Sequence, residues 1–127
     1  MTVGDSRTAR LAMVAAFRRE ISAFLRKRQD VARLGNSTYH FQWRGEPVVL
    51  AVAGAGAANA YRTASDLVRN FSPAILVSIG FAGGLHESLR VGDLVLAEEV
   101  AEEETGERFP CRASLLPIDS SVEGVLL

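Results

Sequence analysis

The chain has 127 residues, a length that fits one domain. Of these residues 48% are hydrophobic and 23% are charged, which are ordinary proportions for a folded globular protein. Fourteen basic side chains nearly balance fifteen acidic ones, and the formal net charge of -1 gives no support for binding to nucleic acid or to an anionic membrane. The single cysteine, Cys111, excludes an internal disulfide, and residues 1–10 show no signal peptide or apolar span. We therefore expect a cytoplasmic protein that acts on a small molecule.

The apolar runs predict an α/β fold, with a mixed sheet flanked by helices. Residues 11–16 form a short continuous apolar run, typical of a strand buried on both faces, and hydrophobic residues then recur at helical spacing over 17–25. Alternation over 37–44, a turn at Gly45-Glu46 and a second run over 47–53 predict a hairpin. Further along the chain, the patterns predict a helix over 57–71, a strand over 74–79 and a strand over 94–97.

The end of the chain has a different character. Acidic residues crowd the segment from Glu98 to Arg108, and Pro110 and Pro117 interrupt any regular pattern. We predict a weakly ordered tail over residues 101–127. Two helices cannot cover both faces of an α/β sheet, so we predict one partial domain over residues 1–127.

Glycine-rich turns follow two of the predicted strands. Gly54-Ala55-Gly56 lies between a strand and a helix, where glycines let a pyrophosphate approach the helix N-terminus in dinucleotide-binding proteins. Asn59 stands in place of the third glycine of that pattern, so a dinucleotide site is the lower alternative. Residues 80–85 contain three glycines, which permit positive φ angles and close backbone approach, so we predict a tight loop there.

Four short stretches of the sequence resemble one known family. SIGFAGGL at 78–85 and VGDLV at 91–95 are similar to the glycine-rich loop and following strand of the purine-nucleoside phosphorylase/uridine phosphorylase superfamily, which includes the methylthioadenosine/S-adenosylhomocysteine nucleosidases. VAAFRRE at 14–20 resembles the family's first strand and acid-bearing helix start, and AGAG at 53–56 resembles its second glycine turn. The resemblance implies a phosphorylase/hydrolase-like fold that is truncated before the C-terminal half.

The resemblance also implies a site and a reaction. The glycine turns would form the floor of a nucleoside pocket, and Glu20 would be the catalytic residue that positions and deprotonates a water molecule. The reaction would cleave the N-glycosidic bond of a purine nucleoside through an oxocarbenium-like sugar. By position, the substrate-binding residues would be Ala16, Phe17, Ala55, Gly56, Phe81, Ala82 and Gly83.

The nucleophile remains open between water and phosphate, with water slightly favoured. Phe81 stands where family members carry a hydroxyl residue, and an aromatic ring cannot donate a hydrogen bond to an anion. Arg18 and Arg19 could supply a phosphate site. We expect no cofactor apart from inorganic phosphate as co-substrate of a phosphorylase, and two histidines with one cysteine predict no metal site.

In the family, the aspartate that assists purine departure and the Met-Glu pair that holds the ribose come from the C-terminal half. Nothing after Val100 resembles either motif, so we expect this chain to be inactive alone. Because part of the sheet surface would be left bare, we also expect a homo-oligomer. The alternative is a non-catalytic nucleoside-binding or oligomerising module, and below it stands a dinucleotide-binding protein.

Overall fold

The computed structural model describes residues 8–112 and 124–126. The chain divides into two compact units, of which the first ends at Phe81 and the second begins at Ala82. The first unit holds a five-stranded sheet in the order β2-β3-β4-β1-β5, with parallel and antiparallel pairs, which confirms the predicted mixed sheet. Its elements are β1 (Leu11–Ala15), a 3-10 turn (Arg18–Glu20), α1 (Ser22–Arg26), β2 (Ala32–Arg33), β3 (Thr38–Trp43), β4 (Glu46–Val52), α2 (Ala57–Phe71) and β5 (Ile75–Ser78).

Strand β1 is the centre of the parallel part of the sheet. It pairs with β4 on one side, where Ala15 lies opposite Val52, and with β5 on the other, where Val14 lies opposite Ser78. Both pairs are parallel, so the carboxyl ends of β1, β4 and β5 lie at the same edge of the sheet. The loops that follow these three strands therefore start side by side.

The core of the first unit lies on both faces of the sheet, because successive strand residues point to opposite sides. On one face α2 contributes Leu67 and Phe71, and on the other the segment after β1 contributes Ile21. The strand residues against α2 are Ala12, Val14, Val49 and Ala51, and those on the opposite face include Ala15, Phe41, Val48 and Leu50.

Local signals explain the hairpin and the long helix. The β3–β4 turn is formed by Arg44 and Gly45 with φ angles of 52° and 78°, the positive pair that a two-residue type I′ turn requires. The turn therefore lies one residue before the predicted position. Helix α2 has the predicted bounds, Ala57–Phe71. Its C-cap residue, Ser72, takes φ 45° and donates its N–H to the carbonyl of Val68 at 3.0 Å.

The predicted helix over 17–25 is replaced by two short pieces, the 3-10 turn and α1. Ile21, between them, has φ -120°, which is outside the helical range. The 3-10 turn closes through a hydrogen bond from the N–H of Glu20 to the carbonyl of Phe17 at 3.1 Å. No helix in the described part of the chain is long and apolar enough to cross a membrane.

The described residues of the second unit form two strand pairs. Strands β6 (Leu94–Leu96) and β9 (Gly124–Leu126) pair in parallel, and β7 (Glu99–Ala101) pairs antiparallel with β8 (Arg108–Pro110). Regular strands thus occupy part of the acidic segment for which the sequence predicted a loop. Opposite charges help to explain this, since Arg108 on β8 forms an ion pair with Glu99 on β7. Residues 113–123 of the predicted tail lie outside the described part of the chain.

Candidate active site

Backbone hydrogen bonds between neighbouring segments of the sheet continue past the ends of the parallel strands. The N–H of Ala53 donates to the carbonyl of Ala15 at 2.8 Å, and the N–H of Gly54 donates to that of Ala16 at 3.0 Å. On the other side of β1, the N–H of Ile79 donates to the carbonyl of Val14 at 2.9 Å. The structure therefore brings together the turns that follow β1, β4 and β5. Ligands of open α/β sheets bind at this kind of edge.

The carboxylate of Glu20 lies between two of these turns. Its Oε1 accepts hydrogen bonds from the backbone N–H groups of Ala16 at 3.1 Å and Phe17 at 2.9 Å. Its Oε2 accepts a hydrogen bond from the N–H of Phe81 at 2.8 Å. Glu20 and Phe81 are 61 residues apart in the sequence, so this side chain joins the loop after β1 to the loop after β5.

These contacts favour the ionised form of Glu20. The N–H of Phe81 contributes most to holding the pKa of the carboxyl below its ordinary value of 4.5, followed by that of Phe17. Partial desolvation opposes the effect, and the N–H of Ala16 and the charge of Arg19 add to the lowering of the pKa. Glu20 is therefore a carboxylate at neutral pH.

The carboxylate keeps room for a further hydrogen bond. Two carboxylate oxygens offer about four acceptor positions in total. The N–H groups of Ala16 and Phe17 use both positions of Oε1, whereas Phe81 uses one position of Oε2. One acceptor position on Oε2 is thus left for a water molecule or a substrate hydroxyl.

The basic residues beside Glu20 have other partners. Arg18 donates from Nη2 to the carbonyl of Asn36 at 3.2 Å, and Arg33 donates to the same carbonyl at 2.8 Å. The guanidinium of Arg19 lies 5.1 Å from the centre of the Phe17 ring, in a cation–π arrangement. In the described ranges, no group of three or more His, Cys, Asp or Glu residues could hold a metal ion.

The remaining predicted site residues lie in two places. Ala55 and Gly56 form the turn between β4 and α2, where Gly56 has φ 95° and the carbonyl of Ala55 accepts a hydrogen bond from Nδ2 of Asn59 at 2.8 Å. Ala82 and Gly83 are exposed residues at the start of the second unit. The structure thus joins Ala16, Phe17, Glu20 and Phe81 directly through hydrogen bonds.

Sequence reasoning missed the role of Gly80. Three glycines permit positive φ angles in this loop, but Gly80, Gly83 and Gly84 do not adopt them. Gly80 instead lies against the Glu20 carboxylate, so closely that a Cβ built on it would be 3.0 Å from Cδ of Glu20. The glycine content of the loop was a signal of close approach, but the sequence did not show what approaches.

Together, the fold and this geometry define an α/β protein with one carboxylate fixed at the carboxyl edge of its parallel strands. Residues 3–116 match the family model described as the Phosphorylase superfamily. The chain belongs to the phosphorylase superfamily, and the family predicted from the sequence is confirmed.

Similar proteins include nucleosidases of known sequence and structure. The chain is 32% identical over 94 residues to a 5'-methylthioadenosine/S-adenosylhomocysteine nucleosidase of Bacillus licheniformis, covering 72% of this chain and 41% of that protein. The nucleosidase of Neisseria meningitidis, solved in complex with methylthio-immucillin-A, superposes with a TM-score of 0.72 at 27% identity and covers 83% of this chain and 53% of that one. A Streptococcus pyogenes S-adenosylhomocysteine nucleosidase superposes with a TM-score of 0.73 at 19% identity, over 84% of this chain and 53% of that one, and supports the fold. The chain thus spans about half the length, or less, of these relatives.

Proposed function

We propose that this chain carries the water-activating part of a site that cleaves the N-glycosidic bond of a purine nucleoside. The observation that carries the proposal is the Glu20 carboxylate, ionised and held by three backbone N–H groups at the carboxyl edge of the sheet. The free acceptor position on Oε2 would take a hydrogen bond from the attacking water. Ala16, Phe17, Ala55, Gly56, Phe81, Ala82 and Gly83 are proposed to contact the nucleoside.

The charge of the site favours water over phosphate as the nucleophile. A phosphate ion beside Glu20 would meet a carboxylate, and like unit charges about 4 Å apart repel by about 1 to 4 kcal/mol, depending on the local dielectric. Arg18 binds a backbone carbonyl and Arg19 lies over an aromatic ring. The charge of Arg19 is the smallest of the effects on the pKa of Glu20, so it offsets little of this repulsion. We therefore propose a hydrolase that uses no cofactor.

The substrate class follows from the relatives. The Bacillus licheniformis protein is named for 5'-methylthioadenosine and S-adenosylhomocysteine, both purine nucleosides with sulfur at the 5' position. We propose the same class for this chain. Because the chain spans 41% of that relative, we further propose that it binds nucleoside but turns it over only when the rest of the fold is supplied.

The test measures adenine release from 5'-methylthioadenosine by chromatography. One sample is the 127-residue chain, and the other is a fusion of this chain to the part of the Bacillus licheniformis relative that it does not match. We expect turnover by the fusion only, and a loss of about 10²- to 10⁴-fold in kcat on Glu20→Gln. Glu46→Gln is the matched control, since Glu46 is an exposed residue of the same unit, and it should leave the rate unchanged. Full activity of the Glu20→Gln fusion would remove the proposed role of Glu20.

A second measurement keeps the proposal testable if the fusion does not fold. Methylthioadenosine is titrated into the 127-residue chain while amide chemical shifts are followed by NMR. We expect the amide signals of Ala16, Phe17 and Phe81 to shift together with one dissociation constant, and the amide of Tyr61 on α2 to stay in place. Binding without turnover in every form would favour the alternative of a non-catalytic nucleoside-binding module.

We also propose that the protein is a homo-oligomer, and sedimentation velocity tests this directly. Cytoplasmic location stays a prediction. Membership of the phosphorylase superfamily favours a nucleoside over a dinucleotide as the ligand. If NAD raised the melting temperature and methylthioadenosine did not, that order of preference would be reversed.

A further inference from the structure

Gly80 follows β5 and is in contact with Glu20. The three heavy atoms nearest to a Cβ built on Gly80 all belong to the Glu20 side chain. Oε2 lies well inside van der Waals contact, Cδ lies at 3.0 Å and Oε1 lies at 3.4 Å. Apart from Gly80 itself and its chain neighbours Ile79 and Phe81, all other heavy atoms are at least as far from this Cβ as Oε1, which is an ordinary contact distance. Only the carboxylate of Glu20 stands in the way of a side chain at position 80.

The φ angle of Gly80 does not require a glycine. Gly54 and Gly56, in the turn after β4, have φ angles of 88° and 95°, which L-amino acids rarely adopt. Gly80 is not among the glycines with positive φ, so an alanine could take its backbone conformation. The reason for a glycine at this position is steric.

We infer that Gly80 is a positioning residue, whose missing side chain allows the Glu20 carboxylate to reach the N–H of Phe81. Oε2 is the end of a flexible side chain, so a methyl group at position 80 would displace the carboxylate and leave the backbone in place. The hydrogen bond from Phe81 would be the first to break, because Oε2 is the atom nearest to the added group. The steric relation stands by itself, and only its importance for catalysis rests on the proposed function.

A double-mutant cycle on the 127-residue chain tests this inference. Gly80→Ala and Glu20→Ala are made singly and together, and melting temperatures are measured by circular dichroism at neutral pH. We expect Gly80→Ala to lower the melting temperature by about 3 to 5 °C when Glu20 is present, which corresponds to the loss of one hydrogen bond to a partly exposed carboxylate. In the Glu20→Ala background the same substitution should change it by less than about 2 °C. Equal shifts in the two backgrounds, or no shift in either, would overturn the inference.

Gly83→Ala is the matched control for stability. Gly83 also lacks a positive φ, and no heavy atom lies within 4 Å of a Cβ built on it. We expect this substitution to change the melting temperature by less than about 2 °C in both backgrounds.

A spectroscopic measurement separates positioning from a general effect on folding. The side-chain carboxyl of Glu20 is titrated by ¹³C NMR in the parent chain, in Gly80→Ala and in Gly83→Ala. We expect the pKa of Glu20 to rise towards its ordinary value in Gly80→Ala, because the Phe81 hydrogen bond is lost, and to stay unchanged in Gly83→Ala. An unchanged pKa in Gly80→Ala would contradict the inference. Neither measurement uses activity, so if the chain passes both tests and a folded fusion never releases adenine, the proposed function alone is refuted.

Discussion

Replacing Glu20 by alanine should remove a pH-dependent contribution to stability. The carboxylate accepts three backbone hydrogen bonds at 2.8, 2.9 and 3.1 Å, and these bonds join the loops after β1 and β5. The pKa of Glu20 is lower in the folded chain than its ordinary value of 4.5, so the unfolded state binds the proton more tightly. The stabilisation by Glu20 is therefore fully present when the pH is above the ordinary pKa of 4.5. It is lost as the pH falls through the lower pKa of the folded chain.

The size of the effect follows from the number of hydrogen bonds. A hydrogen bond to a charged group contributes about 1.5 to 3 kcal/mol when it is shielded from water. Glu20 is partly exposed, and water could replace it at the three N–H groups, so about 1 kcal/mol each is the better figure. A total of about 3 kcal/mol corresponds to about 10 °C in melting temperature for a chain of this length.

Thermal melts of the parent and Glu20→Ala at a series of pH values measure this directly. We expect a difference of about 10 °C at neutral pH that shrinks steadily as the solution is made more acidic than the ordinary pKa of glutamate. Glu46→Ala is the control, because in the described part of the chain Glu46 is exposed and its side chain has no hydrogen bond or ion pair. A difference that is absent at neutral pH, or that stays constant down to acid pH, would refute the reasoning.

Three other substitutions test the packing and the turns. Phe41 is 1% exposed, so Phe41→Ala should lower the free energy of unfolding in urea by about 3 to 5 kcal/mol. A loss no larger than that of the exposed control Tyr61→Ala would contradict the assignment of Phe41 to the core. Arg44→Asn should raise stability by about 0.5 to 1 kcal/mol in the same assay, because asparagine tolerates the φ of 52° better, and a decrease would argue against the type I′ turn. Gly54→Ala should lower the free energy of unfolding by about 1 to 3 kcal/mol in thermal melts, because the alanine would need a φ of 88° and its Cβ would lie only 3.1 Å from Nδ2 of Asn59. A neutral result would contradict this backbone conformation.

The elements that could be predicted carry their signals locally. The alternation of Tyr39, Phe41 and Trp43 identifies β3, and Gly45 marks the hairpin turn after it. The helix over 57–71 was predicted to its last residue, because Pro73 disfavours helical backbone in the residue before it. The glycine-rich motifs added the resemblance to a family, and the match over residues 3–116 confirms that family.

The elements that could not be predicted depend on distant or competing contacts. The spacing of Phe17, Ile21 and Phe24 is helical. However, the carboxylate of Glu20 accepts a hydrogen bond from the N–H of Phe17, and the backbone N–H of Glu20 donates to the carbonyl of Phe17. This closed local turn competes with a continuous helix. The bond from Glu20 to Phe81 spans 61 residues and exists because β5 lies beside β1, which no local pattern indicates.

The same three hydrogen bonds limit what Glu20 can do chemically. By lowering the pKa of the carboxyl, they make Glu20 a weaker base than a glutamate with a pKa near neutrality. A weak base cannot generate hydroxide, so an attack that required hydroxide would be poorly served by this arrangement. An oxocarbenium-like sugar, by contrast, is electrophilic enough to be attacked by water itself, with the proton leaving late. A rigidly held carboxylate with one free acceptor position suits that demand, because in the proposed reaction it would orient the water and accept the proton once the bond to the sugar has begun to form. The geometry at Glu20 is therefore better matched to dissociative cleavage of a glycosidic bond than to hydrolysis of an ester or an amide, where the attacking water must be activated first.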